Sequence, residues 1–204
     1  MAAAHGYADG EAIPLSLVLI IVERIATSVG LPLTVDFEGG YATHPDGITE
    51  NVRKVIQAGA IGINFEDQIV KGEGLYKTSV QVERLKAVRH AAGLEGVPLF
   101  INARTDLFLG AAPSTHDTLI ATAIDRAVAY ADAGADGFFI PGLTDLALIK
   151  EIIDSVSLPV NVMMMGELSS VGKVAGIGVS RASYGPAPYF NAMSNISEQY
   201  KSLK

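Results

Sequence analysis

Two acidic residues, Asp36 and Glu38, end the apolar segment Leu33–Phe37 and are followed by Gly39 and Gly40. The segment predicts a buried strand, and the glycines predict a tight turn after it. Alternate residues of a strand point to the same side, so we expect both carboxylates on one face. Like charges this close repel unless a cation neutralises them, and Mg²⁺ prefers oxygen ligands. The spacing therefore predicts a divalent metal site. The alternative is two solvated acids at a strand end.

Two later apolar segments end in further charged residues, first Glu66 and Asp67, then Arg104. Glu66 would add a third carboxylate to the metal site, directly or through a water, because Mg²⁺ usually keeps several waters. The planar guanidinium of Arg104 could bind a carboxylate or phosphonate group of a substrate. Its alternative role is a structural ion pair with Asp106 or Asp67. We interpret Asp67 itself as structural.

A metal ion beside an arginine suits a small dianionic oxo-acid, because the metal would stabilise the charge of its enolate. Asn161, at a later strand end, could hydrogen-bond such a substrate or be a satisfied core amide. We also assign Gly39 and Gly40 to substrate binding. The loop Lys71–Gly74 could act as a lid that excludes water, or it could be an ordinary solvated loop.

The composition excludes several classes of protein. The chain has 204 residues, 49% hydrophobic and 18% charged, which predicts one domain over residues 1–204 with a sizeable core. A net charge of −7 argues against a nucleic-acid partner. There is no cysteine, hence no disulfide, thiolate metal site or cysteine nucleophile. The apolar run Leu17–Val22 is too short for a membrane and lacks a basic start, so we expect a cytoplasmic protein without a membrane partner.

Six apolar segments, each introduced by Pro or Gly, alternate with helical patterns, and this alternation predicts a parallel sheet. The predicted strands begin near residues 33, 62, 99, 137, 160 and 179. The predicted helices run over about 14–28, from Thr49, from Thr78 with a capping box, over about 115–132, from a Thr144 cap, and over about 188–201.

An open doubly wound sheet and a closed barrel both fit this alternation. Asp36, Glu66 and Arg104 stand at the ends of successive strands, and a closed barrel gathers its site from several strands at that face. No G-x-G-x-x-G motif of the open dinucleotide-binding sheets is present. We therefore predict an α/β fold of the (β/α)8 TIM-barrel type. Since only six strands can be counted, it apparently lacks the first two.

The segments VDFEGGY, AGAIGINFEDQ, PLFINARTD and AGADGFFIPG resemble, in this order, the isocitrate lyase/phosphoenolpyruvate mutase superfamily. The resemblance runs from about Gly6 to Gly185. It implies a (β/α)8 barrel with Mg²⁺ or Mn²⁺ at its mouth, bound by Asp36 and, through waters, by Glu38 and Glu66. It also implies that Arg104 binds the acidic end of the substrate. The chemistry implied is cleavage or formation of a C–C or P–C bond next to an α-keto acid.

The loop after Glu66 departs from this resemblance. The lyases of the superfamily carry Lys-Lys-Cys-Gly-His or Lys-Arg-Cys-Gly-His there, whereas this chain reads Ile-Val-Lys-Gly-Glu-Gly. Isocitrate and 2-methylisocitrate cleavage are therefore disfavoured. Lys71 lies near the position of the phosphomutase's lysine, one residue short, and Pro141 replaces the phosphomutase's histidine. Lys71 is a catalytic candidate beside Arg104 and Glu66, but mutase activity is disfavoured.

Together these features predict a Mg²⁺-dependent lyase-type enzyme that acts on a small α-keto acid or phosphonate through a metal-stabilised enolate. Decarboxylation of an oxaloacetate-like acid is one such reaction that needs no cysteine. The alternative is a truncated, inactive barrel remnant that serves only in binding or assembly. Because two strands of the barrel are apparently missing, we expect the chain alone to be weakly stable or a homo-oligomer.

Overall fold

The fold is described from a computed structural model, which describes residues 1–201. Six parallel strands form one sheet in chain order β1 to β6. The strands are β1 (Thr34–Asp36), β2 (Gly62–Glu66), β3 (Phe100–Arg104), β4 (Gly137–Phe139), β5 (Val160–Met163) and β6 (Arg181–Ser183). The helices are α1 (Leu15–Ser28), α2 (Pro45–Gln57), α3 (Thr78–Glu95), α4 (Ile120–Asp132), α5 (Leu146–Ser155), α6 (Val171–Gly176) and α7 (Ala187–Lys201). The predicted alternation of six strands with helices is confirmed.

The sheet curls into a parallel half-barrel. Its two outer strands, β1 and β6, do not pair with each other in the sheet order of the described residues. A side-chain bond nevertheless joins them, since Arg181 Nη2 donates to Thr34 Oγ1 at 3.1 Å. The concave face of the sheet therefore surrounds an interior space, at whose rim the carboxyl ends of the strands meet.

The two faces of the sheet differ in polarity, which the sequence interpretation of continuous apolar strands did not anticipate. One set of alternate side chains is apolar and lies in the core shared with the helices; it comprises Val35, Ile63, Phe65, Ile101, Ala103, Phe138, Val160 and Val162. The other set faces the interior space. Besides the apolar Phe100, Phe139 and Met163, it carries the polar side chains of Thr34, Asp36, Asn64, Glu66, Asn102, Arg104, Asn161, Arg181 and Ser183. A sheet whose inner face carries acids, amides and arginines is built to hold polar groups.

The predicted starts of α2 and α5 are wrong, and the capping box predicted at α3 does not form. Helix α2 begins at Pro45 rather than Thr49, because proline suits the first turn of a helix. Helix α3 includes Thr78 as its first residue, and no side chain caps it, so the predicted capping box does not form. Helix α5 is capped by Asp145 rather than Thr144, because the Asp145 carboxylate accepts two backbone N–H bonds of the first turn.

Short elements escaped the sequence analysis because they are too short to show periodicity. They are α6 and the 3₁₀ turn Ala2–His5. The helix predicted over about 115–132 begins later, because its first turn belongs to the 3₁₀ turn Pro113–Leu119 and α4 starts at Ile120. His116, within the turn Pro113–Leu119, is 3% exposed, and its Nε2 lies 3.1 Å from the Phe108 carbonyl oxygen. Within residues 1–201, no helix is both long and apolar enough to span a membrane.

Candidate functional site

A cavity of about 770 Å³ occupies the concave side of the sheet. Strand residues Asp36, Asn64 and Arg104 form part of its wall, and Asp9 and Tyr184 contribute from segments outside the strands. Asp36 and Arg104 are the last residues of β1 and β3, so the charged part of the wall lies at the carboxyl ends of the strands. In barrel-type α/β folds this is the face that carries active sites.

The guanidinium of Arg104 contacts three carboxylates. Its Nε and Nη2 bind Asp106 Oδ1 and Oδ2 at 2.6 and 2.9 Å. Its Nη1 lies 3.1 Å from Glu66 Oε2 and 3.7 Å from Asp36 Oδ2. Burial disfavours the charged guanidinium, but these partners outweigh burial and raise the pKa of Arg104 above its ordinary value. The structure thus brings Arg104, Glu66 and Asp36 together, and it also forms the ion pair with Asp106 that we had considered as the alternative role of Arg104.

Asp67 lies beneath this cluster in a buried network of its own. It is completely buried and accepts hydrogen bonds from Arg126 Nη1 at 2.9 Å and from the Tyr130 hydroxyl at 2.8 Å. It also accepts the backbone N–H of Asp106 at 3.0 Å, which fixes the residue that binds Arg104. Asp67 therefore does not line the cavity, but it helps to position Asp106, the partner of Arg104.

The carboxylates of the cavity hold their protons more tightly than usual. Burial raises the pKa of Glu66 to about 8, and the negative charges of Asp106, Asp36 and Glu38 add to this, although Arg104 opposes it. The Asp36 side chain is 56% exposed because it faces the cavity, yet desolvation by the surrounding walls raises its pKa too, with Asp9 and Asp106 contributing. Such a concentration of negative charge favours a bound cation.

We expect the stability of the metal-free protein to fall as pH rises from about 4.5 to about 8 because of Glu66. Over that interval the folded state, whose Glu66 pKa is about 8, keeps a proton that the unfolded chain, in which the pKa of glutamate is 4.5, has released. Urea denaturation of the wild type and of Glu66→Gln, measured across this interval, should therefore show the stability of the wild type falling relative to that of Glu66→Gln as pH rises. Exposed Glu151→Gln is the control. A Glu66→Gln curve parallel to the wild type would contradict the prediction.

Glu38 lies beyond the end of β1, so the strand alternation that we used does not reach it. It sits in a turn with a left-handed backbone (φ 48°), and its carboxylate accepts the backbone N–H of Glu11. The carboxylate of Glu11 in turn accepts the N–H of Tyr41 at 2.6 Å. Burial raises the pKa of Glu38, and the charges of Asp9 and Asp36 raise it further. Glu38 is therefore close enough for the charge of Asp36 to affect its pKa, although a turn places it there rather than strand alternation.

Gly39 and Lys71 line a second, smaller cavity of about 290 Å³, together with Glu11 and Arg84. The structure therefore does not place Lys71 in the cavity of Arg104. Close packing accounts for the glycine at position 39, and a left-handed backbone accounts for the one at position 40. A Cβ at Gly39 would lie 2.9 Å from Val70 Cγ2, and Gly40 has a φ of +83°.

Asn161 occupies the inner face of β5 in an unusual state. It is 2% exposed, and neither its Oδ1 nor its Nδ2 has a hydrogen-bond partner among residues 1–201. A buried amide without partners costs about 1–3 kcal/mol, so such groups are normally satisfied by a water or a ligand. The structure does not form the satisfied core amide that we had considered as its alternative.

Asp9 and Asn64 belong to the cluster but were missing from the sequence-based set, in which Asp106 appeared only as a possible ion-pair partner of Arg104. The side chain of Asn64 accepts from Asn102 Nδ2 at 2.8 Å, and its polar group opposes the rise that burial causes in the pKa of Asp36. The segment from Gly6 contained a usable signal for Asp9, since it resembles the superfamily segment that follows a strand of the barrel. Asn64 could have been found by placing alternate residues of β2 on the same face as Glu66.

The donor set fits a divalent cation. Asp36, Glu38, Glu66 and Asp9 influence one another's charge, while Arg104 is the one arginine within 4 Å of any of them among residues 1–201. No three acidic or histidine side chains of residues 1–201 converge closely enough to enclose an ion on their own. Mg²⁺ does not need such a cage, because it commonly takes one or two carboxylates and several waters.

Comparison with known proteins gives consistent similarities. The family model described as phosphoenolpyruvate phosphomutase matches residues 1–204. The 2-methylisocitrate lyase of Escherichia coli (strain K12) is 32% identical over 190 residues, which cover 89% of this chain and 62% of the lyase. The chain spans less than two thirds of the length of the curated relatives that it matches first.

Solved structures match over nearly the whole chain. A protein of Burkholderia cenocepacia J2315, named as a candidate phosphonomutase, has a TM-score of 0.96 and 42% identity, covering 100% of this chain and 81% of its own. Phosphonopyruvate hydrolase in complex with oxalate and Mg²⁺ has a TM-score of 0.84 at 20% identity, covering 99% of this chain and 71% of its own. At that identity the second match concerns the fold alone.

Proposed function

Because the chain belongs to the phosphoenolpyruvate phosphomutase family, within the isocitrate lyase/phosphoenolpyruvate mutase superfamily, we propose that it is a Mg²⁺-dependent lyase-type enzyme acting on a small α-keto acid or phosphonate. The observation that carries the proposal is that Arg104, which lines the cavity with Asp36, lies 3.7 Å from the Asp36 carboxylate and 3.1 Å from that of Glu66. It is supported by a relative named as a 2-methylisocitrate lyase and by a solved structure, 42% identical, that is named as a candidate phosphonomutase.

The proposed roles follow from the donor set. Asp36 would hold Mg²⁺ or Mn²⁺ directly, and Glu38 and Glu66 would hold it through waters. When bound, the ion supplies positive charge that stabilises the negative charge developing on a keto oxygen. Arg104 would bind the anionic end of the substrate, and the unpartnered amide of Asn161 would hydrogen-bond it.

Lys71, Gly39 and Gly40 have a conditional place in this scheme. Gly39 and Lys71 line the neighbouring cavity, so contact with a substrate at Arg104 requires movement of the two loops that carry them. A loop that closes over the substrate would exclude water from the reaction. In that closed state Lys71 would be the candidate for proton transfer, and the backbone of Gly39 and Gly40 would border the substrate.

We further propose that the six-stranded half-barrel is the corresponding part of a single (β/α)8 domain that acts in the cytoplasm, as a homo-oligomer. The similarity to superfamily structures supports this placement. The alternative, an inactive remnant that serves only in binding or assembly, is not favoured. The charged side chains proposed for metal and substrate binding, Asp36, Glu66 and Arg104, lie together at or beside the cavity.

The proposed function is tested by turnover assays with and without Mg²⁺ on a panel of oxaloacetate-like acids and phosphonates. We expect metal-dependent release of product from at least one of them and none from isocitrate or 2-methylisocitrate. The chain lacks the cysteine acid of those lyases, and general acids contribute roughly 10²–10⁴-fold. Glyoxylate or pyruvate release from the two isocitrates at ordinary enzyme rates would contradict the substrate assignment. A folded protein inactive on the whole panel would support the alternative.

Replacing Arg104 with lysine should weaken binding of oxalate, an enolate mimic, by at least tenfold, or about 1.4 kcal/mol. Lysine keeps the charge but loses the planar fork that holds two oxygens at once. Calorimetric titration with oxalate in the presence of Mg²⁺ measures the change. Arg53→Lys, which alters an exposed pair with Glu95, is the matched control. Unchanged oxalate affinity in Arg104→Lys would reduce Arg104 to the partner of Asp106.

A further inference from the structure

Arg84, on α3, is a buried cation whose role the proposed mechanism leaves open. It is only 2% exposed. Its guanidinium carbon lies 4.2 Å from the ring centroid of Tyr76 and 5.3 Å from that of Phe65. Its hydrogen-bond partners are backbone carbonyls and one amide oxygen. A buried guanidinium with this set of partners is suited to fixing backbone segments.

The three backbone carbonyls that accept from Arg84 belong to the turn 38–43, which follows β1. Nη2 donates to the Gly39 oxygen at 2.6 Å, and Nη1 donates to the Ala42 and Thr43 oxygens, both at 3.0 Å. In the same turn Glu38 and Tyr41 have left-handed backbones, with φ of 48° and 57°. Residues other than glycine persist in this conformation only where surrounding contacts hold them. Arg84 supplies such contacts for the turn that carries Glu38.

The same guanidinium is also linked to the end of β2. Arg84 Nε donates to Gln81 Oε1 at 3.1 Å, and Gln81 Nε2 donates to the backbone oxygen of Glu66 at 3.0 Å. Gln81 is completely buried, so its amide is held in this orientation by these two bonds. One side chain therefore links the segments that carry Glu38 and Glu66.

We propose that Arg84 is a positioning residue for the metal site, an inference that rests on the proposed function. It fixes the turn 38–43 and the end of β2 relative to each other, so that the carboxylates of Glu38 and Glu66 stand beside Asp36. It lines the neighbouring cavity rather than that of Asp36, so it acts through the segments that it holds.

The test compares the wild type with Arg84→Lys, which keeps a positive charge but cannot reach three carbonyls and an amide at once. Amide hydrogen exchange is measured over residues 39–43 in the metal-free protein, and Mn²⁺ affinity is measured by calorimetry. We expect exchange in the turn to be at least tenfold faster and Mn²⁺ affinity to be at least tenfold weaker in the variant.

Arg89→Lys is the matched control. Arg89 lies on the same helix and also donates to backbone carbonyls, namely those of Leu99 at 3.0 Å and Gly134 at 2.7 Å. These carbonyls precede β3 and β4, at the amino ends of the strands, whereas Asp36 lies at the carboxyl end of β1. The control variant should lose stability without a change above twofold in Mn²⁺ affinity or in exchange over residues 39–43.

If Arg84→Lys does not fold, the Gln81→Met variant is tested instead. Methionine fills a similar volume but cannot link Arg84 to the backbone of Glu66. We expect Gln81→Met to bind Mn²⁺ at least threefold more weakly than the wild type. Unchanged Mn²⁺ affinity in the folded variant would overturn the inference alone, and so would an equal loss in Arg89→Lys. Unchanged exchange in the turn of Arg84→Lys would also overturn it. A wild-type chain that does not bind Mn²⁺ would overturn the proposed metal function and, with it, the inference. The Mn²⁺ affinity of the wild type therefore distinguishes failure of the proposed function from failure of the inference alone.

Discussion

Replacing Asp36 with alanine should weaken Mn²⁺ binding by at least about 100-fold, or roughly 2.7 kcal/mol. Asp36 ends β1, and its carboxylate faces the cavity, with 56% of the side chain exposed. The Glu66 carboxylate forms an ion pair with Arg104 at 3.1 Å, and the Glu38 carboxylate accepts the backbone N–H of Glu11. The loss of Asp36 would therefore remove the donor that is free to contact an ion directly.

Calorimetric titration with Mn²⁺ provides the measurement for Asp36→Ala. Asp125→Ala is the matched control, because Asp125 is an exposed acid on α4 and its removal changes the net charge by the same amount. The control separates a specific ligand from general electrostatic attraction, which is weak at moderate salt. Equal Mn²⁺ affinity in the wild type and in Asp36→Ala would show that any ion binds elsewhere.

Replacing Asp67 with alanine should destabilise the protein by about 3–5 kcal/mol, because it leaves a buried guanidinium without its carboxylate. Asp67 pairs with Arg126 at 2.9 Å, and the side chain of Arg126 is 9% exposed. The substitution also leaves the Tyr130 hydroxyl and the N–H of Asp106 without an acceptor. For a chain of this size such a loss should lower the melting temperature by roughly 6–20 °C.

Thermal and urea denaturation of Asp67→Ala measure this effect. Asp154→Ala is the control, because Asp154 forms an ion pair with Lys150 in which the two side chains are 58% and 48% exposed. Exposed pairs of this kind contribute little, so the control should change stability by less than about 1 kcal/mol. An Asp67→Ala variant as stable as the control would mean that the buried network contributes nothing to the fold.

The sequence was sufficient to identify the six strands and their alternation with helices. Local patterns carry this information, because a Gly or Pro before an apolar run limits where a strand can begin. Helix α1 (Leu15–Ser28) and strand β2 (Gly62–Glu66) were predicted nearly to the residue. The motifs around Asp36, Glu66 and Arg104 also carried the family, since they occur in the right order along one chain.

Periodicity was less informative about which side of each strand faces the interior. The inner positions of β2 and β3 hold Asn64 and Asn102, which lie within predominantly apolar runs and were therefore not singled out. Whether an amide in such a run packs in the core or faces a cavity depends on the curvature of the sheet. That curvature is set by contacts between segments that are distant along the chain.

Only the tertiary structure decided the partners of the charged side chains. Arg104 could have paired with Asp106, Asp67 or a ligand, and the choice of Asp106 depends on Asp67 being taken by Arg126, 59 positions away. Lys71 is five residues from Glu66 in the sequence, yet its loop directs it to the other cavity. Sequence spacing fixes which residues end a strand, because the strand period is local. Ion pairs and hydrogen bonds form between side chains that packing brings together, so their partners follow from the fold as a whole.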